Sequence, residues 1–298
     1  MLPFILLLIA TMLWGSSFIA LKIAFAEYSP MWVIFLRMVV ASICFLLMWK
    51  GLSRFTYQKG DWKLLLLMSA AEPCLYFVFE AMALQYTSAA QAGMVTAVLP
   101  PMAAALAFIF LKERMTITAQ AGFVVAFAGL VWLSWAAEEN AHASNPVLGN
   151  TLELAAMACS AVYCVCVKKL STRYSPLVLT SLQAFSGAIF FMPLAFSQDV
   201  PPLHAGPALY AIVFLGVCVT LGAYLLYNIA ITKMDLSKAT IFSNLIPVYT
   251  IGFAYWLLDE TLTQTQLMAC GLILSGVVLG QSKRRKKTVM PAERAFES

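Results

Sequence analysis

Four charged side chains sit at least four residues in from the ends of apolar runs: Arg37, Glu72, Glu80 and Glu153. Glu72 is the sharpest candidate for chemistry. Counted from Trp62 at 1.5 Å per helical residue, it lies about 15 Å along its helix, near the midplane of a hydrocarbon layer about 30 Å thick. An ionised carboxylate there costs at least ~2.5 kcal/mol. Glu72 should therefore face a wet cavity, have a partner or carry a proton. It reads either as a proton- or substrate-binding carboxylate or as a neutral acid hydrogen-bonded between helices. Pro73 beside it predicts a kink. Glu80 follows two turns later and Arg37 lies at matching depth, about 10 Å below the surface by the same rise. The two read as a structural pair, an outer gate, or an anchor in which the planar guanidinium holds a substrate carboxylate. Proton coupling is assigned to Glu72 and Glu80. Glu153 is a rival partner for Arg37 but reads as a solvated acid at a helix start.

Tyr76 and Phe79 lie on or near the Glu72–Glu80 face at helical spacing, and with Trp14 they could line an aromatic cavity suited to an organic cation. Plain packing is the alternative. Gln91, Thr96 and Asn244 add uncharged donors and acceptors, which would bind a polar ligand or hydrogen-bond between helices. Pro100 and Pro247 each remove a backbone hydrogen bond in mid-run, so both are expected to act as hinges near a binding site. The two histidines, His142 and His204, fall in loops. HExxH, GxSxG, paired aspartates and a Walker lysine motif are all missing, which argues against an intramembrane enzyme. No cofactor and no metal are expected.

These residues need elements to hold them at depth. Apolar residues make up 62% of the chain and charged residues 11%, against roughly 45–50% and about 25% in soluble domains. The chain reads as an all-α integral membrane protein. Ten runs are long enough to span: 3–23, 31–49, 62–84, 89–111, 117–136, 147–167, 177–197, 208–230, 237–257 and 265–281. The first carries no basic n-region and reads as a retained helix rather than a signal peptide. The seven cysteines all fall in these runs and read as packing residues. All but two of the 19 basic residues, Lys22 and Arg37, fall on one side of a ten-span topology. The positive-inside rule makes that side cytoplasmic and places both termini there. The net charge of +5 thus reports topology and an anionic leaflet, and no nucleic-acid partner is expected.

The runs repeat. Leu111–Thr116 reads LKERMT and Leu258–Thr263 reads LDETLT, 147 positions on. Pro100 and Pro247 share that offset, as do Gly129 and Gly276, and Tyr28-Ser29-Pro30 returns as Tyr174-Ser175-Pro176. The expected units are a five-helix repeat over 1–140, a second over 146–282, and a basic tail over 283–298. An odd helix count inverts the second repeat relative to the first, as in many two-sided carriers. Small residues at Gly122/Ala126, Gly276/Gly280 and Gly271/Ser275 predict close packing of helix 5 on helix 10. A homodimer seam is the less favoured use, so a monomer is expected.

Trp14-Gly15-Ser16-Ser17-Phe18, Ala83 to Ala92, mid-helix Pro100 and Leu111-Lys112-Glu113-Arg114 together resemble the EamA-type members of the drug/metabolite transporter superfamily. The second copy repeats the scheme with Leu236 to Thr240, Pro247 and Leu258-Asp259-Glu260-Thr261. Asp259 stands where the family usually has Gly, and Glu72, Pro73 and Glu80 lie outside its general pattern. The resemblance implies a ten-helix inner-membrane carrier, usually an exporter of small metabolites. The expected function is secondary-active transport of small amphiphilic metabolites, such as amino acids or their derivatives, by alternating access, with proton exchange through Glu72. An uncoupled facilitator and a lipid-carrier flippase of the same fold are the alternatives. The expected partners are a small-molecule substrate, the lipid bilayer and protons.

Overall fold

The computed structural model describes residues 2–48, 50, 56–111, 116–137, 139–140, 142–234 and 239–281. The tail over 283–298, Arg54, Lys112, Glu113, Arg114, Glu138, Leu236, Ser237 and Lys238, on which parts of the charge and repeat readings rest, lie outside these residues. The described residues form ten helices, labelled α1 Leu2–Phe25, α2 Pro30–Leu47, α3 Trp62–Tyr86, α4 Ala89–Phe110, α5 Ile117–Trp135, α6 Pro146–Leu170, α7 Pro176–Phe196, α8 Pro207–Lys233, α9 Thr240–Leu258 and α10 Gln264–Gln281. The first nine are long and apolar enough to cross a membrane, and α10 is a shorter apolar helix. Outward positions carry large apolar side chains such as Leu47, Trp135 and Trp256. Apolar surface of this kind belongs against lipid.

The helices form two inverted five-helix repeats. Packing is exchanged between them: α5 lies on α10, α2 on α7, α1 on α8 and α9, and α6 on α3 and α4. Glycines permit the closest of these approaches. A Cβ on Gly122 would stand 2.5 Å from Gly280 Cα, and one on Gly276 would stand 2.9 Å from Ala126 Cα, so α5 and α10 meet backbone to backbone. Gly271 meets nothing within 4 Å, so the expected Gly271/Ser275 pair takes no part in this seam.

Four helices depart from α geometry, in two matched pairs. Residues Ala70–Leu75 of α3 and Leu215–Ala223 of α8 are π-helical. In α3 the cause is Pro73, which lacks an N–H and pushes the preceding Glu72 into the extended region (φ −144°, ψ 118°). In α4 and α9, 3₁₀ turns over Thr96–Val98 and Thr240–Asn244 precede Pro100 and Pro247. Pro100 cannot bond the carbonyl of Thr96, four residues back, so the Leu99 N–H takes that oxygen instead. In α9 Leu245 N donates to Phe242 O, three residues back, and also approaches Ser243 O, the carbonyl that Pro247 cannot bond.

Candidate functional site

Between the repeats lies a cavity to which both contribute lining residues. Its walls come from α1, α3, α4, α6, α8 and α9, with Arg37 reaching in from α2. The irregular segments position the polar lining. The extended backbone at Glu72 aims its carboxyl at α8, where the Tyr224 hydroxyl donates to Glu72 Oε1. Trp14 stands edge-on to Tyr224 with ring centroids 5.2 Å apart and leans on Tyr227 at 5.0 Å. Tyr163 completes an aromatic wall against Tyr224. Thr96, in the 3₁₀ turn of α4, and Ser17 and Ser160 add hydroxyls.

Charge in this site is only partly satisfied. Tyr76 donates to Glu80 Oε1 at 2.7 Å, one helical turn along α3. Arg37 is buried. Its Nε donates to Thr220 Oγ1 at 3.0 Å, and its guanidinium carbon stands 4.4 Å from the Phe77 ring centroid. Arg37 Nη1, Glu72 Oε2 and Glu80 Oε2 are buried with no hydrogen-bond partner. Orphaned charged atoms around a cavity are expensive unless something else meets them. These atoms could bind a ligand that carries both charged and apolar groups.

Each end of the molecule is fastened by matching contacts. At the end holding the linker between repeats, Lys22 Nζ of α1 donates to Thr87 O at 2.7 Å, the residue that terminates α3. At the opposite end Lys168 Nζ of α6 donates to Ile231 O at 2.8 Å and to Met234 O at 2.9 Å, the residue that terminates α8. Tyr28 OH accepts His204 N from the α7–α8 connection at 3.4 Å, and Tyr174 OH accepts Gln58 N from the α2–α3 connection at 3.0 Å. An ion pair of Asp61 with Arg173 and a contact of Glu27 Oε2 with His204 Nε2 at 3.2 Å accompany them. Glu260 caps α4 by accepting from Ala89 N at 3.1 Å and Ala90 N at 2.8 Å, so its carboxylate meets the positive end of that helix.

Of the residues singled out in the sequence, Trp14, Arg37, Glu72, Tyr76, Glu80 and Thr96 line the cavity. Phe79, Gln91 and Asn244 do not. The π turn adds a residue to α3 and rotates everything beyond it, so Phe77 faces inward where Phe79 was expected. Gln91 is spent between helices: its Oε1 accepts from Asn150 Nδ2 at 3.2 Å, and Asn150 also donates to Ser134. Asn244 is half-buried in the turn before Pro247, its Oδ1 unpaired. Pro100 and Pro247 are buried at the start of the regular part of α4 and α9. Two readings are overturned. Arg37 forms no ion pair with Glu80 within 4.0 Å among the described residues; it takes Thr220 and Phe77 instead. Glu153 is fully buried rather than solvated, because α6 begins beneath the linker and packs along α3. Sequence reasoning missed Tyr163, Tyr224 and Tyr227, since an aromatic hydroxyl in an apolar run carries no charge to mark it.

A family model described as the EamA-like transporter family matches the chain twice, over residues 1–135 and 147–280. An "uncharacterized transporter" of Archaeoglobus fulgidus is 28% identical over 94% of this chain and 99% of its own. The transporter YcxC of Bacillus subtilis is 26% identical over 94% of each. A "probable terminal-alkyne amino-acid exporter" of Streptantibioticus cattleyicolor is 24% identical over 97% of each. One solved crystal structure superposes with a TM-score of 0.68 over 93% of this chain and 96% of its own, at 19% identity, a likeness of fold. With matched helix irregularities, a cavity between inverted repeats and two family matches that cover most of its length, the chain belongs to the EamA-like transporter family.

Proposed function

We propose that this protein is a secondary-active exporter of small amphiphilic metabolites, amino acids or their derivatives, working by alternating access with proton exchange at Glu72. The observation that carries the reading is the cavity itself: both repeats supply its walls, and its charged atoms are left unpaired beside an aromatic surface. Arg37 Nη1 suits a substrate carboxylate, and the Trp14–Tyr224–Tyr227 wall beside Glu72 suits an ammonium group and an apolar tail. The export direction draws on the printed name of the Streptantibioticus relative. The two end fastenings supply a gate on each side, and the 3₁₀ turns before Pro100 and Pro247 supply hinges. The units proposed to rock are residues 1–140 and 146–282, with the tail 283–298 and both termini on the cytoplasmic side of the inner membrane. The reading calls for no catalytic step.

A thermal-shift screen of the purified protein against amino acids, organic cations and nucleosides should give hits that Arg37→Ala abolishes. Those hits should show counterflow in proteoliposomes; hits without counterflow would overturn the carrier reading. Glu72→Gln should abolish pH-gradient-driven uptake while leaving counterflow in place. Unchanged gradient-driven uptake would remove Glu72 from the coupling.

A further inference from the structure

The seam between α3 and α6 holds two acids that face each other across the repeats. Its register is set by Gly149, whose added Cβ would stand 2.6 Å from Thr87 Cβ and 3.0 Å from Ala83 O. Ala83 O itself accepts from Thr87 N, so both contacts lie at the C-terminal end of α3 and Gly149 is level with its last residues. Glu153 is four residues further along the same face of α6, about one turn down the antiparallel α3. Glu80 is three residues before Ala83 and on its face. The two acids therefore lie within about one turn, ~5 Å, of each other in depth. Both are buried, Glu153 at 0% and Glu80 at 2% exposure. Neither oxygen of Glu153 has a hydrogen-bond partner, and Glu80 Oε2 has none. Glu80 is the charged group that acts on Glu153.

Two buried carboxyls on one seam, both short of hydrogen-bond partners, each disfavour ionisation of the other. We infer that Glu80 and Glu153 together hold one exchangeable proton, with one acid donating its O–H to the carboxylate of the other across the seam. The pair keeps a single negative charge, and Arg37 of α2 is the cation that acts on Glu80. The other titratable groups facing the pair are Tyr76 and Glu72 on α3 and Tyr224 on α8. From α4 and α5, also packed on α6, come Gln91, Thr96 and Ser134, none of them charged. Because the two acids belong to opposite repeats, a movement that parts α3 from α6 breaks the O–H···O⁻ bond. The stranded carboxylate then needs a second proton or a cationic group of the cargo. This consequence rests on the carrier reading; the shared proton does not.

The test uses the full-length protein without ligand. Potentiometric titration and infrared difference spectra count its protonated carboxyls. Glu153→Gln should lose one proton equivalent at neutral pH, because Glu80 is then relieved of the second carboxyl across the seam and ionises beside Arg37. The double variant with Glu80→Gln should lose the same one. No loss in Glu153→Gln, or a loss of two in the double variant, overturns the shared proton. Should Glu153→Gln fail to fold, Glu80→Gln decides: it should shift the carboxylic-acid band by replacing its carboxylate acceptor with a neutral amide oxygen, and an unmoved band overturns the inference. Failure here leaves the cavity's ligand stabilisation untouched, so the carrier reading stands or falls separately.

Discussion

Tyr224 is the residue on which the cavity's acid depends. Its hydroxyl is the described partner of Glu72 Oε1, and its ring meets Trp14. Tyr224→Phe keeps the ring and strands a second carboxyl oxygen, which costs about 1–3 kcal/mol in a buried site. The expected outcome is a lower thermal midpoint than wild type. Tyr227→Phe should change it little, since the partner of that hydroxyl among the described residues is Cys164 Sγ at 3.5 Å. Equal effects would show that the Glu72 bond contributes nothing. Glu72 could be read from the sequence because a lone charge in an apolar run is conspicuous. Tyr224 could not, because burial of an aromatic is ordinary in such a run and its partner lies 152 positions away.

At the scale of elements, glycine spacing decides which helices touch. Gly276→Leu would drive a side chain into the α5 backbone, where even a Cβ meets Gly122 O at 2.8 Å. It should lower the thermal midpoint sharply by separating α5 from α10. Gly271→Ala, with open space around it, should be neutral or gain about 1 kcal/mol of helix propensity. A reversal of this order would mean that α10 packs by another face. Both small-residue pairs were visible in the sequence, yet spacing alone could not say which one faces α5. The prolines show the same limit. Pro73, Pro100 and Pro247 announced irregular helices, while the π segment of α8 has no proline and was not legible. That segment is packed on α2, where Gly216 meets Val40 and Arg37 O, so tertiary contact accompanies the irregularity.

Across the whole molecule the repeated motifs act as fastenings, one set at each end. Lys22 and Lys168 lie 146 positions apart and tie the ends of α3 and α8 from opposite sides of the molecule. Each lysine should hold its own end shut. The reporter is Cys164, which lines the cavity, kept as the sole cysteine and labelled with an impermeant maleimide from either side of oriented vesicles. Lys168→Ala should raise labelling from the side of the chain termini, and Lys22→Ala from the other side. Labelling unchanged in both variants would show that these bonds brace the fold without gating it.

By itself the sequence determined the helix count, the duplication and the inversion. Those follow from run length, charge placement and an odd number of spans, all of which are local or additive along the chain. It also marked three charged residues of the cavity, Arg37, Glu72 and Glu80, because buried charge is costly anywhere in a membrane. Only the tertiary structure decided who meets whom. The phase of α3 beyond its π turn puts Phe77 and not Phe79 into the cavity. The approach permitted by Gly149 lays α6 along α3 and buries Glu153 in that seam. Thr220 and Phe77 take Arg37 in place of the expected acid. Each of these depends on rotation and register between helices, which no residue spacing within a single helix encodes.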